Sequence, residues 1–244
     1  MKGFTSKIVH SDRLGGVEHG AVHKPVHDSV AFSFDDAQEL AAVFQGVKPG
    51  YTYGRQVNPT VDALEKKITA MEGGLGSVCF GTGMAAIGTT MFALLRAGDH
   101  VVSSAFLFGN TTSLFNSFGR QGLDVSFVDA TDVANVANAI TAQTKMVFVE
   151  TIANPRTQIA DLEAIGELCQ QRGLIYVVDN TMTSPFLFQP RQVGASLAIN
   201  SLTKYISGHG NVLGGVVTEL GNFDWNAFAN IYDEYQNGDS ALWG

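Results

Sequence analysis

Between residues 77 and 220, short runs rich in β-branched and aromatic residues alternate with longer stretches of helical period. The runs are "SVCF" (77–80), "HVVSS" (100–104), "DVSFVD" (124–129), "KMVFVET" (145–151), "LIYVVDN" (174–180), "LAINSL" (197–202) and "GGVVTEL" (214–220). Helical segments fall at 83–96, near 110–120, at 131–142 and at 161–172. A run that is apolar at nearly every position has no face for water, so it belongs inside a sheet covered on both sides. Strands that alternate with helices pair in parallel, because the helix returns the chain over the sheet. The expected fold class is therefore α/β, with a mostly parallel sheet flanked by helices. "TVDALEKKITAMEG" (60–73) leads into the series as a helix, with Thr60 as its cap and Gly73 as its stop.

Residues 1–50 show no sustained period and many turn residues, including Gly15, Gly16, Gly20, Pro25 and "KPG" at 48–50. They are expected to form an arm that packs on something else, and residues 51–244 a single large domain. The segment "WNAFANIYDEYQNGDSALWG" starts as a helix and ends without a closing element, as expected of a piece of something longer.

The formal net charge of −8 and the scattered Lys and Arg offer no basic stripe to neutralise phosphates, which argues against a nucleic-acid partner. Cys79 and Cys169 are too few for a disulfide framework and lack CxxC spacing. The N-terminus has no apolar signal region, and no apolar run approaches the ~18 residues that span a bilayer. No membrane association and a reducing, cytoplasmic location are the expectation.

In open α/β sheets, ligands sit beyond the carboxyl ends of the strands, and three places there carry chemistry. In "CFGTGMAAIGTT" (79–90), Gly81, Thr82, Gly83 and Met84 link a strand to a helix and present free N–H groups at the positive end of its dipole. That suits a phosphate, although the same turn serves as a plain βα connection. Ala86 stands where a dinucleotide fingerprint has its third glycine, and no acidic residue ends the next strand. Asp179 ends "LIYVVDN", where an unpaired carboxylate is costly to bury. It is a helix cap, a metal ligand or the partner of a protonated heteroaromatic nitrogen. In "INSLTKYISGHGNVLGG" (199–215), Ser201 and Thr203 lie two apart in an expected extended segment, with both hydroxyls pointing one way. They would add donors to a phosphate held at 81–84. Lys204 beside them is a surface lysine when taken alone. Combined with Asp179 and the glycine turn, it becomes an amine poised to form a Schiff base.

A phosphate anchor, a pyridinium partner and a Schiff-base lysine are what pyridoxal 5'-phosphate requires. The chain resembles the cysteine/methionine-metabolism family of pyridoxal-phosphate enzymes, which have the aspartate-aminotransferase (type I) fold. The resemblance runs through "YGRQVNPT" (53–60), "GTGMAAI" (81–87), "ETIANP" (150–155), "VVDNT" (177–181) and "SLTKYISGHG" (201–210), in order along the chain. It implies that Lys204 binds the cofactor and shuttles protons and that Asp179 holds the ring nitrogen. It further implies that Gly83, Met84, Ser201 and Thr203 form the phosphate cup. Asn154 then stands near the ring hydroxyl and the substrate carboxylate, and Thr181 beside the ring. Tyr53 and Arg55 resemble a pair that reaches the phosphate of a neighbouring subunit. The arm would pack on that subunit, giving a homodimer or homotetramer with shared active sites. His209 carries no functional role and is expected to be a loop histidine with a satisfied hydrogen bond.

Two departures from the family pattern bear on the reaction. Phe108 stands where a ring-stacking tyrosine is usual; it still stacks, but it transfers no proton. Asn110 stands where methionine γ-lyases carry a reactive cysteine. Both favour γ-replacement on O-succinyl- or O-acetylhomoserine by a thiol or sulfide donor over γ-elimination by a cystathionine or methionine lyase. Nothing corresponds to the family's smaller C-terminal domain, whose arginine binds the substrate α-carboxylate. The resemblance thus implies a chain that holds cofactor but binds amino acid poorly.

Overall fold

All seven apolar runs form strands, and all belong to one sheet. The structure, a computed structural model, describes residues 3–14, 16–228 and 230. The strands are β1 (Gly76–Phe80), β2 (His100–Ser104), β3 (Asp124–Val128), β4 (Thr144–Glu150), β5 (Ile175–Asp179), β6 (Leu197–Asn200) and β7 (Gly215–Glu219). Their order across the sheet is β1-β7-β6-β5-β4-β2-β3. From β3 to β6 every neighbouring pair is parallel, and β7 runs antiparallel to both β6 and β1. Strand β1 thus points the same way as β6, and its carboxyl end opens on the same edge as those of β2, β4 and β5.

The strands read as unbroken apolar runs because alternate side chains enter two different cores. On one face Met146, Phe148, Ile175, Val177 and Ile199 pack with Ile87, Met91 and Phe115. Those last three come from helices α4 (Gly83–Leu94) and α5 (Gly109–Phe118), counted after α1 (Phe4–His10), α2 (Ala37–Phe44) and α3 (Pro59–Glu72). On the other face Val147, Val149, Tyr176 and Val178 pack with Val136 of α6 (Val133–Ala139) and with Ile165 and Cys169 of α7 (Leu162–Arg172). A short helix, α8 (Ser184–Leu187), follows β5.

Two expectations, the cap of α3 and the extended segment at 201–203, are corrected, and residues 1–50 are more regular than their pattern suggests. Helix α3 is capped by Asn58, not Thr60: Pro59 takes the first helical position, and the Asn58 side chain accepts from the Thr60 N–H at 2.9 Å. Thr60 Oγ1 instead accepts the His27 N–H at 2.7 Å, tying residues 27–29 to the helix start. Gly73, at φ 69°, is the left-handed stop. Residues 1–50 contain two helices, α1 and α2, neither of which buries a residue fully. Helix α1 lies against α3 of its own chain: Phe4 joins Ile68 and Met71, and Asp12 meets Lys67 at 3.0 Å. Strand β6 ends at Asn200 and residues 202–207 form turns, so Ser201 and Thr203 do not lie in one extended segment. The closing stretch expected to be helical, 225–244, shows a short 3₁₀ turn at Trp225–Ala227, and residues 231–244 lie outside those described.

Both cysteines are free. Burial pushes each thiol up to about 12, Cys79 additionally through the neighbouring Glu65, which suits packing rather than reactivity. No helix among the described residues is long and apolar enough to cross a membrane.

Candidate active site

At the shared carboxyl edge the strands and the turns that follow them line a cleft of about 740 Å³. It brings together Gly83, Met84, Phe108, Asn154, Asp179, Thr181, Ser201, Thr203 and Lys204, nine of the eleven residues singled out from sequence. Tyr53 and Arg55 lie outside it on the surface, where the Arg55 guanidinium sits over the Tyr53 ring at 5.4 Å.

One end of the cleft is built by close backbone approach. Thr82 caps α4 by accepting the Ala85 N–H at 3.0 Å. The N–H groups of Gly83 and Met84 have no partner among the described residues, and neither has the Ser201 hydroxyl. These donors converge because Gly83 has no side chain: a Cβ there would lie 2.9 Å from Ser201 Cβ. Behind the turn, a Cβ on Gly215 would lie 2.2 Å from the Thr82 carbonyl oxygen and 2.7 Å from Gly83 Cα. We expect Gly215→Ala to displace the 81–83 turn, lowering unfolding free energy by about 2–3 kcal/mol in denaturant titrations and weakening cofactor retention. A variant with unchanged stability and retention would show that this approach does not build the cup. Thr203 lines the cleft too, and its hydroxyl is engaged with Gly214, donating to the carbonyl at 3.2 Å and accepting the N–H at 3.1 Å, which closes the 203–214 loop.

The opposite end is acidic. Asp179 closes β5, and its Oδ1 accepts from the Thr181 N–H at 3.0 Å and from the Thr181 hydroxyl. Thr181 Oγ1 in turn accepts the Ser201 N–H at 2.8 Å, so the acid and the phosphate cup share one hydrogen-bonded chain. Oδ2 has no donor among the described residues. Burial raises the Asp179 carboxyl above the usual range, against the two bonds from Thr181. A cation placed at Oδ2 would reverse that shift, and a protonated ring nitrogen is such a cation. Lys204 stands on the exposed wall, its Nζ without a partner among the described residues, while its backbone is held by Ser201 and Gly208.

Glu150 escaped the sequence reading. It ends β4, paired in register with Asp179, and lines the cleft. Its Oε1 accepts the Phe108 N–H at 2.7 Å and its Oε2 the Asn154 N–H at 3.2 Å, so one carboxyl group ties together two loops. Burial pushes its pKa up to about 7; the Phe108 N–H opposes the shift and the charge of Asp179 adds to it. The signal was available, for Glu150 ends an apolar strand just as Asp179 does. His209 lies in the loop, its Nδ1 against the Ser207 carbonyl at 2.8 Å.

The cleft thus sets unpartnered N–H and hydroxyl donors at one end, a buried carboxylate at the other and the exposed amine of Lys204 on its wall. The chain is 37% identical to the O-acetyl-L-homoserine sulfhydrylase of Corynebacterium glutamicum, over 91% of this chain and 52% of the relative. It is 38% identical to an L-methionine gamma-lyase of Fusobacterium nucleatum subsp. polymorphum, over 88% of this chain and 55% of the relative. The chain therefore spans about half the length of these curated relatives. Among solved structures, a Campylobacter jejuni chain carrying N'-pyridoxyl-lysine-5'-monophosphate superposes with a TM-score of 0.86 at 28% identity, over 91% of this chain and 55% of that one. The metB structure of Corynebacterium glutamicum superposes at 0.85 with 33% identity, over 98% of this chain and 60% of that one. The family model of the Cys/Met metabolism PLP-dependent enzymes matches residues 5–237. The chain belongs to that family, and its cofactor is pyridoxal 5'-phosphate.

Proposed function

We propose that this chain is the cofactor-binding part of an enzyme that replaces the γ-substituent of an activated homoserine, O-succinyl- or O-acetylhomoserine, with a thiol or sulfide. The observation that carries the reading is the pair Phe108 and Asn110 lining the same cleft as Lys204 and Asp179. Neither side chain transfers a proton, so the site suits a substrate whose leaving group needs little acid assistance, and an ester is one. Relatives named for sulfhydrylase and homocysteine synthase activity support it.

Bound pyridoxal phosphate supplies an electron sink for carbanions at the substrate's α-carbon. Gly83, Met84 and Ser201 would hold its phosphate through two N–H groups and a hydroxyl, with Thr203 shaping the loop around them. Asp179 would accept from the ring nitrogen, held at the right angle by Thr181. Phe108 would stack on the ring, its backbone fixed by Glu150. Asn154, fixed by the same carboxyl, would face the ring hydroxyl and the substrate carboxylate. Lys204 Nζ would attach the cofactor and then carry protons from the α- and β-carbons, a role its freedom from other partners allows. Tyr53 and Arg55, outside the cleft of their own chain, would complete a neighbour's phosphate site in a homodimer or homotetramer.

A second reading has support of its own: methionine gamma-lyases match this chain as well as the sulfhydrylase does. Incubation of the full-length protein with O-succinyl- or O-acetylhomoserine and sulfide separates the two. Homocysteine is the expected product; 2-oxobutyrate formed without uptake of sulfide would overturn the replacement reading in favour of elimination.

A further inference from the structure

At the ends of β5 and β6 lies a buried carboxyl group with no ionic partner among the described residues. Glu72, the last residue of α3, is 0% exposed, and the amides around it, Asn180 and Asn200, are 0% and 1% exposed. Both amides donate to the same oxygen: Asn200 Nδ2 to Oε1 at 2.7 Å and Asn180 Nδ2 to Oε1 at 3.3 Å. Asn180 is otherwise satisfied, its Nδ2 donating also to the Phe188 carbonyl and its Oδ1 accepting from Thr183. Two buried atoms are left without partners, Glu72 Oε2 and Asn200 Oδ1. Both are acceptors if the carboxyl is ionised, and two buried orphan acceptors are costly. A single proton on Oε2 would turn one orphan acceptor into a donor for the other. Oε2 becomes a donor, Asn200 Oδ1 is the acceptor lacking one, and the Nδ2–Oε1 bond is already half of a two-bond acid–amide pair.

We infer that Glu72 is held as a neutral carboxylic acid in the folded protein and that in this form it is a positioning residue for the cofactor site. Its two amide partners immediately follow Asp179 and precede Ser201. The acid therefore joins the ends of β5 and β6 just where the ring-nitrogen partner and the phosphate donor leave the sheet. The inference rests on family membership, not on the choice between replacement and elimination. Burial pushes the Glu72 pKa up to about 7, against the pull of the two amides, and no charged group acts on it. The cation that meets this end of α3, Arg191, donates to the Gly73 carbonyl, and Asp179 has its own partners on Thr181.

The test compares Glu72→Gln with Glu72→Ala in the full-length protein, by unfolding between about pH 5 and about pH 8 and by absorbance titration with pyridoxal phosphate. A folded-state pKa above the unfolded one means that the folded state binds the extra proton. The stabilisation is thus fully present below the ordinary glutamate value and is lost as pH rises toward 7. Glutamine reproduces the neutral acid, one oxygen accepting and one N–H₂ donating. Glu72→Gln should flatten the fall in stability with pH, leaving the shares of Glu150 and Asp179, and keep cofactor affinity within about threefold. Glu72→Ala leaves the Asn200 amide unpaired and cuts the tie between Asn180 and Asn200, and should weaken cofactor affinity at least about tenfold. If Glu72→Gln is as damaging as Glu72→Ala, or leaves the pH slope unchanged, the residue acts as an anion and the inference fails. If Glu72→Ala binds cofactor like the parent, the positioning role fails.

Discussion

Replacing Lys204 by alanine should abolish the yellow, borohydride-fixable form of the protein and lower turnover by about a thousandfold or more, while unfolding free energy changes by no more than about 0.5 kcal/mol. The two effects separate because of where the side chain stands. Lys204 is exposed on the cleft wall, and its Nζ bonds to nothing among the described residues. The turn that carries it is held through the backbone, by the Lys204 N–H on the Ser201 carbonyl at 3.2 Å and the Gly208 N–H on the Lys204 carbonyl at 2.9 Å. Removing the amine therefore removes the attachment point and the proton carrier without opening the core. Lys204→Arg sharpens the test, because it keeps the positive charge in the cleft but presents a guanidinium that stays protonated. If charge alone recruited the cofactor, the arginine variant would still take up stable colour. We expect reversible uptake that dialysis reverses, held only by the phosphate cup. An alanine variant that keeps the colour through dialysis and gives a pyridoxyl adduct after borohydride would remove Lys204 from its role.

How far the site could be read in advance follows from the range of the forces that build each part. The strands were plain in the sequence because a strand buried on both faces is apolar at most positions, as in "LIYVVDN" (174–180), which contains β5 (Ile175–Asp179). Helices α1 and α2 were not found, because neither buries a residue fully and so neither leaves a core-facing period. The cap of α2 was nonetheless written locally: Asp36 accepts from the Gln38 N–H at 2.9 Å. At α3 two capping signals competed, and the fixed φ of Pro59 decided for Asn58 over Thr60. The extended segment expected at Ser201 and Thr203 failed because a spacing of two means a shared face only in a strand, and the chain turns once Leu202 enters the core. Asp179 stood out because a carboxylate ends a strand that is otherwise apolar, whereas Lys204, a surface lysine taken alone, stood out only in combination with Asp179 and the glycine turn. Glu72 did not, and Glu150, although it ends an apolar strand as Asp179 does, was passed over; the meaning of each depends on partners far along the chain. Phe108 lies 42 residues from Glu150, and Asn200 lies 128 residues from Glu72. No local pattern announces such pairs.

Asp179→Asn should lower turnover by about 10²- to 10³-fold and yet leave the cofactor-free protein at least as stable as the parent at neutral pH. Asparagine retains an oxygen for the Thr181 N–H and hydroxyl, so the chain of bonds from Asp179 through Thr181 to the Ser201 N–H survives. What it replaces is Oδ2, the atom without a donor, by an N–H₂ group that cannot accept from a protonated ring nitrogen. The stability result has the opposite sign for a definite reason. Burial holds the Asp179 carboxyl above its ordinary range, so the folded cofactor-free state binds a proton more tightly than the unfolded chain does. That stabilisation is present at low pH and is lost as pH rises through the folded-state value, whereas asparagine does not titrate and loses nothing. A group that weakens the fold at neutral pH and is repaid only by a cationic partner has the character of a functional residue. Unfolding of both proteins across the acid-to-neutral range, together with turnover of the loaded forms, decides the matter. Near-parent turnover in Asp179→Asn would take the ring nitrogen away from this carboxylate. A neutral-pH loss of stability in the variant would make Asp179 part of the scaffold.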